Sequence, residues 1–96
     1  MPRVVVQSYN EYESLTIADT ALGLTASKIS GQSVAFITVE TAQIRFRLDG
    51  TAPTASEGHL LEAGDDLTLE GATTMASFKV IRTTATSAVL KCSYGT

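Results

Sequence analysis

A single histidine, His59, lies in the run Glu57-Gly58-His59-Leu60, with Ser56 and Glu62 close by in sequence. A catalytic imidazole needs a nucleophile to deprotonate and a carboxylate to orient it, and closeness in sequence fixes neither geometry. His59 is therefore expected to anchor a turn or contact a partner. Carboxylates gather at Glu62, Asp65 and Asp66, with Asp49 and Glu40 elsewhere. Calcium would need six to eight such oxygens, and the chain has no D-x-D-x-D-G loop to collect them. Adjacent Asp residues at a strand start point to opposite faces, so no metal site is expected. One cysteine and one histidine cannot supply the four ligands of a structural zinc. Gly50, Gly58, Gly64 and Gly71 each fall beside a strand end and serve turns, not a phosphate-cradling loop. No cofactor is expected.

Cys92 shares parity with Ala88, Leu90 and Tyr94 and reads as a small buried hydrophobe, not a reactive thiol. Arg45 and Arg47 share the outward face of one strand, with Glu40, Asp49 and Glu70 as candidate acidic neighbours. Two roles stay open for them. Cross-strand ion pairs on a wet face would contribute only ~0.2–1 kcal/mol each. A docking surface would instead use the guanidinium forks to grip a partner's carboxylates.

The elements that must position these residues read as strands. From Val34 to Gly71 the chain alternates apolar and polar residues, broken at Asp49-Gly50, Pro53 and Gly64-Asp65. Alternation with a period of two describes a half-buried antiparallel sheet. Ala35, Ile37 and Val39 form an inward set on odd numbers, and Ile44, Phe46 and Leu48 another on even numbers. One uninterrupted strand would throw one set into solvent. A hairpin at Thr41-Ala42 would keep both sets on one face; a bulge or corner over Glu40–Gln43 would let the chain pass between two packed sheets. Thr-Ala is poor chemistry for a two-residue turn, which favours the corner.

Upstream, Val4–Tyr9 is predicted as a first strand that Leu15-Thr16-Ile17 extends or follows. Ala21–Ile29 reads as a short second strand, weakened by Gly23. Ser8-Tyr9-Asn10-Glu11 matches a capping box in form, but no apolar face of helical period follows it. Downstream, Thr51–Leu61 is a long loop, Glu62–Asp65 a turn, Leu67 and Leu69 inward strand positions, and Gly71–Thr74 another break. Phe78–Ile81 and Ala88–Tyr94 are the last strands, joined by the Thr-rich Thr83–Ser87. About seven strands at ~8–12-residue spacing predict one all-β domain over residues 1–96, an antiparallel β-sandwich or jelly-roll-like barrel.

Composition agrees. The 96 residues include 14 Thr, 7 Val and 5 Ile with no Trp, a bias toward pleated strands. A domain this small buries roughly 60–70% of its unfolded surface, so association with copies of itself or a larger partner is expected. A net charge of −3 gives no attraction to nucleic acid or anionic lipid. Apolar runs are short, so neither a leader nor a membrane span is expected, and the lone cysteine suits a reducing cytoplasm.

The string Ile37-Thr38-Val39-Glu40-Thr41-Ala42-Gln43-Ile44-Arg45-Phe46-Arg47-Leu48-Asp49-Gly50-Thr51-Ala52-Pro53-Thr54, followed by Gly58-His59-Leu60-Leu61 and Gly64-Asp65, resembles small proteins encoded in the structural-gene regions of tailed bacteriophages and prophages. Phe78–Arg82 and the ending Leu90–Gly95 fit the same pattern, so the resemblance spans roughly the last two-thirds of the chain. It implies a β-sandwich virion component, a head-decoration (cement) or head–tail accessory protein, that works by binding and has no catalytic residues. Its partners would be virion proteins such as a major capsid or connector protein, in a homo-oligomeric assembly joined after folding in the host bacterial cytoplasm. The contact region expected on this reading is Phe36, Glu40, Arg45, Arg47, Asp49, Thr51, Pro53 and His59.

A shorter stretch, Ile44–Thr54, is similar to the Y-T-x-D-G-[ST]-x-P-T strand and turn of immunoglobulin-like modules attached to carbohydrate-active enzymes. That resemblance implies a sugar-associated binding module. With Phe46, Phe78 and Tyr94 committed to the core, its stacking platforms would be Tyr9, Tyr12 and Phe36.

Overall fold

In the computed structural model, which describes residues 8–96, the parity change between Val39 and Ile44 is a corner between two sheets. The elements in chain order are β1 (Tyr9–Ile17), β2 (Leu22–Gly23), α1 (Ala26–Ile29), β3 (Val34–Glu40), β4 (Ile44–Arg47), β5 (His59–Leu61), β6 (Asp66–Glu70), α2 (Ala72–Ser77), β7 (Lys79–Arg82) and β8 (Ala88–Gly95). A first sheet runs β1-β8-β3-β6 and a second runs β2-β7-β4-β5. Every strand pair is antiparallel. The fold is an all-β sandwich.

At the corner, the Ala42 N–H donates to the Glu40 carbonyl at 2.9 Å across Thr41, whose φ is 80°. This γ-type turn swings the chain from the first sheet to the second. Val39 and Ile44, on either side of it, are each only 1% exposed. The odd-numbered and even-numbered sets therefore meet across the core, not side by side.

Register builds the rest of that core. Leu15 and Val39 both pair with Leu90, Ile37 pairs with Cys92, and Ile17 with Ala88. Directly paired residues share a face, so these side chains form one inward layer together with Ala35, Leu69 and Tyr94. Ile44, Phe46 and Val80 oppose them from the second sheet, and the Phe46 and Phe78 rings sit 5.7 Å apart. Met75, projecting from α2, is fully buried among them.

Several expectations are corrected. Leu48 is exposed, because β4 ends at Arg47 and the Asp49 turn takes over from the alternation. Of Ala21–Ile29, only Leu22 and Gly23 pair, with β7. Beyond them Lys28 and Ile29 donate to the Thr25 carbonyl, and Ala-Ser-Lys-Ile forms a helical turn. That run lacks strand alternation, so nothing opposes the local helix. His59–Leu61 is a strand that pairs with β4 instead of a loop tail. The Gly71–Thr74 break opens α2, held by Met75 N–H to the Gly71 carbonyl. The strands number eight among the described residues, against about seven expected. Val4–Gln7 of the expected first strand lies outside the described residues. From Tyr9 the strand runs through Leu15–Ile17, with a shift of register between Tyr9 and Glu11 that puts Tyr9 on the face of Tyr12.

Candidate functional site

The eight residues expected to form one contact region divide between opposite sides of the sandwich. Arg45 and Arg47 alternate with the buried Ile44 and Phe46, so they face outward from the second sheet. Asp49, Thr51 and Pro53 follow β4 in the same loop, His59 on β5 pairs with the inward Phe46, and Phe36 and Glu40 belong to β3 in the first sheet. They cannot touch one flat partner together.

On the second sheet, the two arginines are spent on the loop between β4 and β5. Arg45 donates from Nε to the Ala55 carbonyl at 3.2 Å and from Nη1 to the Gly58 carbonyl at 2.8 Å. Pro53 is buried beneath this clamp. Gly58 sits at φ 137°, where a Cβ would stand 3.0 Å from the Phe46 carbonyl oxygen and 3.1 Å from Pro53 Cβ. Only glycine fits there without strain. Arg47 grips Asp49 with two hydrogen bonds, and Asp49 also accepts the Thr51 N–H at 3.3 Å. That hydrogen-bonded pairing holds the Asp49 carboxyl below its ordinary range and raises the Arg47 guanidinium. Thr54 and Glu57 exchange backbone hydrogen bonds across the loop tip. The D-G-T-x-P-T…G-H string thus describes a self-bracing loop.

His59 does not hang in that loop. It pairs with Phe46 across β5 and β4, and the two rings lie 5.3 Å apart and tilted. With Arg47, Leu48, Asp49, Glu57 and Gly58 it lines an open depression of about 620 Å³. Among the described residues, no group of three or more His, Cys, Asp or Glu side chains converges to hold a metal.

The outer face of the first sheet is different. Pairing sets Tyr12, Ser93, Phe36 and Thr68 in one row across the four strands, and Ser14, Lys91, Thr38 and Asp66 in the next. Tyr9 pairs with Gly95, which pairs in turn with Val34. Tyr9, Tyr12 and Phe36 are 51%, 56% and 39% exposed, and all three share this face. Ser93 lies between Tyr12 and Phe36 on β8, while Gly95 and Val34, beside Tyr9, are buried. Gly95 is required: a Cβ there would fall 2.2 Å from the Ser8 carbonyl oxygen. Lys91 reaches Ser14 Oγ at 3.1 Å. Glu40 closes the β3 end of the face at the corner and is exposed.

One constellation went unmarked in the sequence. Glu13, inward on β1, accepts hydrogen bonds from Thr25 Oγ1 at 2.5 Å, Thr25 N–H at 3.2 Å and the Tyr94 hydroxyl. Burial alone would raise its carboxyl, but these donors and the nearby Lys28 charge outweigh it and hold Glu13 below its ordinary value. Burial, then the bond to Glu13, pushes the Tyr94 phenol far up. Cys92, beneath them, is pushed to about 11 by burial. The odd phase of Leu15 and Ile17, continued backward, points to Glu13 as an inward carboxylate, and that is the signal that could have found it.

No family model, curated protein or solved structure matches this chain. Among the described residues, no helix is long and apolar enough to cross a membrane.

Proposed function

We propose that this protein is a non-enzymatic structural component of a tailed-phage particle, of the head-decoration or head–tail accessory kind, that acts by binding other virion subunits. The observation that carries the reading is the outer face of the first sheet. Three large rings, Tyr9, Tyr12 and Phe36, stand exposed on one face. Aromatic residues are enriched at the core of protein-binding patches and among their energetic anchors. The groups best suited to chemistry are engaged elsewhere: Arg45 and Arg47 brace a loop, and Glu13, Tyr94 and Thr25 bond one another. The phage-like string supplies the assembly. Many symmetric copies would let individually modest contacts add through effective concentration.

Sedimentation with purified particles or empty heads of the phage that carries this gene tests the reading. The protein is expected in the pellet, and Phe36→Asp is expected to leave it in the supernatant. Wild-type protein remaining wholly in the supernatant would count against a virion role. The same three rings also favour a second reading, a carbohydrate-associated immunoglobulin-like module, because flat aromatic faces stack on sugar rings. Retardation in polysaccharide-containing gels, abolished by Tyr12→Ala, would select that reading over the first.

A further inference from the structure

If the outer face of the first sheet binds protein, as proposed for its three exposed rings, its occupant has still to be named. On that protein-binding reading, we propose that the occupant is a second copy of this chain, stacked face to face about a two-fold axis parallel to the strands and midway between β8 and β3. That operation lays β1 over the partner's β6 and β8 over the partner's β3, at equal heights along the strands. The observed register then fixes which side chains meet.

Phe36 falls on the partner's Ser93, and Ser93 on the partner's Phe36, because these two residues are direct neighbours in one row. Tyr12 falls on the partner's Thr68 in the same row. One row along, Tyr9 falls on the partner's Glu70, since Tyr9, Gly95, Val34 and Glu70 form one row. Phe36 and Tyr12 therefore each meet a small residue, the interdigitation that aligned sheet packing requires. Charge follows the same pattern. The Lys91 ammonium is held 3.1 Å from Ser14 Oγ. Ser14 is the position over which the partner's Asp66 falls, since Ser14, Lys91, Thr38 and Asp66 form one row. Two-fold symmetry makes this lysine–aspartate meeting twice, which is the self-complementarity a closed dimer needs.

The area suffices for a modest interface. Four strands at ~4.8 Å spacing give a patch roughly 19 Å wide, and six residues of strand give about 20 Å of length. Two such faces bury roughly 760 Å², the size of a weak, transient contact. An association of that size is reversible alone and strengthened in an ordered array.

Sedimentation equilibrium of the full chain over a concentration series is the test, with circular dichroism confirming that each variant is folded. Wild type is expected to show a reversible monomer–dimer equilibrium. Phe36→Asp and Lys91→Glu are each expected to weaken it at least about tenfold. The exchange Lys91→Glu with Asp66→Lys is expected to recover most of the affinity. A wild-type chain that stays monomeric at every concentration overturns the proposal, as does a dimer indifferent to Phe36→Asp and Lys91→Glu. An exchange that rescues nothing overturns this pairing of strands. A monomer that still pellets with particles sinks only the second-copy occupant. A dimer that ignores particles sinks only the virion reading.

Discussion

Glu13 illustrates how a polar residue can serve the fold from inside it. Its carboxylate ties β1 to β8 through Tyr94 and to the start of α1 through Thr25. Because its folded pKa lies below the ordinary 4.5, the stabilisation it provides is present above that value. It is lost as the pH falls through the folded value, where both states become protonated. Thermal unfolding of wild type is therefore expected to weaken across the acid side of 4.5, and Glu13→Gln is expected to flatten that slope. Glu13→Ala should cost on the order of 1–3 kcal/mol, since the buried Tyr94 hydroxyl loses its acceptor. The arginines separate in the same way. Arg45→Ala is expected to cost about 1 kcal/mol and to speed amide exchange over Thr51–Glu57, because two loop carbonyls lose their donor. Arg47→Ala, which removes a solvent-exposed pair, should leave the melting temperature nearly unchanged.

Among the elements, the Glu40–Gln43 corner decides the architecture. Thr41 holds φ 80° there, a conformation that a β-branched residue adopts at a cost of roughly 1–2 kcal/mol. Glycine adopts it freely but gives back roughly 0.5–1 kcal/mol of unfolded-chain entropy. Thr41→Gly is accordingly expected to raise stability by up to about 1 kcal/mol, read as a melting temperature higher by several degrees. A lower melting temperature would mean that the Thr41 side chain contributes something the backbone geometry does not reveal. The turn also explains why the chain spends poor turn chemistry at this point: no hairpin is being made. The short helices follow from similar local reasoning. α2 is anchored by Met75 in the core, not by helix propensity, since its run Ala-Thr-Thr-Met-Ala-Ser is mediocre helix sequence.

Across the molecule, one core joins both sheets and Cys92 lies at its centre, fully buried. Burial raises its thiol to about 11, so thiolate is scarce at neutral pH and reagents cannot reach it without opening the sandwich. Labelling of Cys92 by a disulfide reagent is expected to be slow in native conditions and to follow global unfolding as denaturant is added. Fast labelling of folded protein would show that the β1–β8 side opens independently of the rest. The two outer faces divide the remaining work. The second sheet is partly covered by its own braced loop, whereas the first leaves its aromatic row to solvent.

The parity code was legible before any fold was known: which residues of β3, β4, β6 and β8 point inward, and that the phase must break between Val39 and Ile44. Period-two alternation is local, so it survives without knowledge of partners. Alternation missed β5 and both short helices, where three to six residues carry too little pattern to outweigh neighbouring turn signals. The placement of Phe36 and Arg47 on opposite sides of the sandwich came from strand pairing alone. Outward parity says that a side chain leaves its own sheet; which sheet that is depends on a turn of a few residues. The same holds for Phe36, which lies far along the chain from Tyr9 and Tyr12 and shares their face because β8 pairs with both β1 and β3.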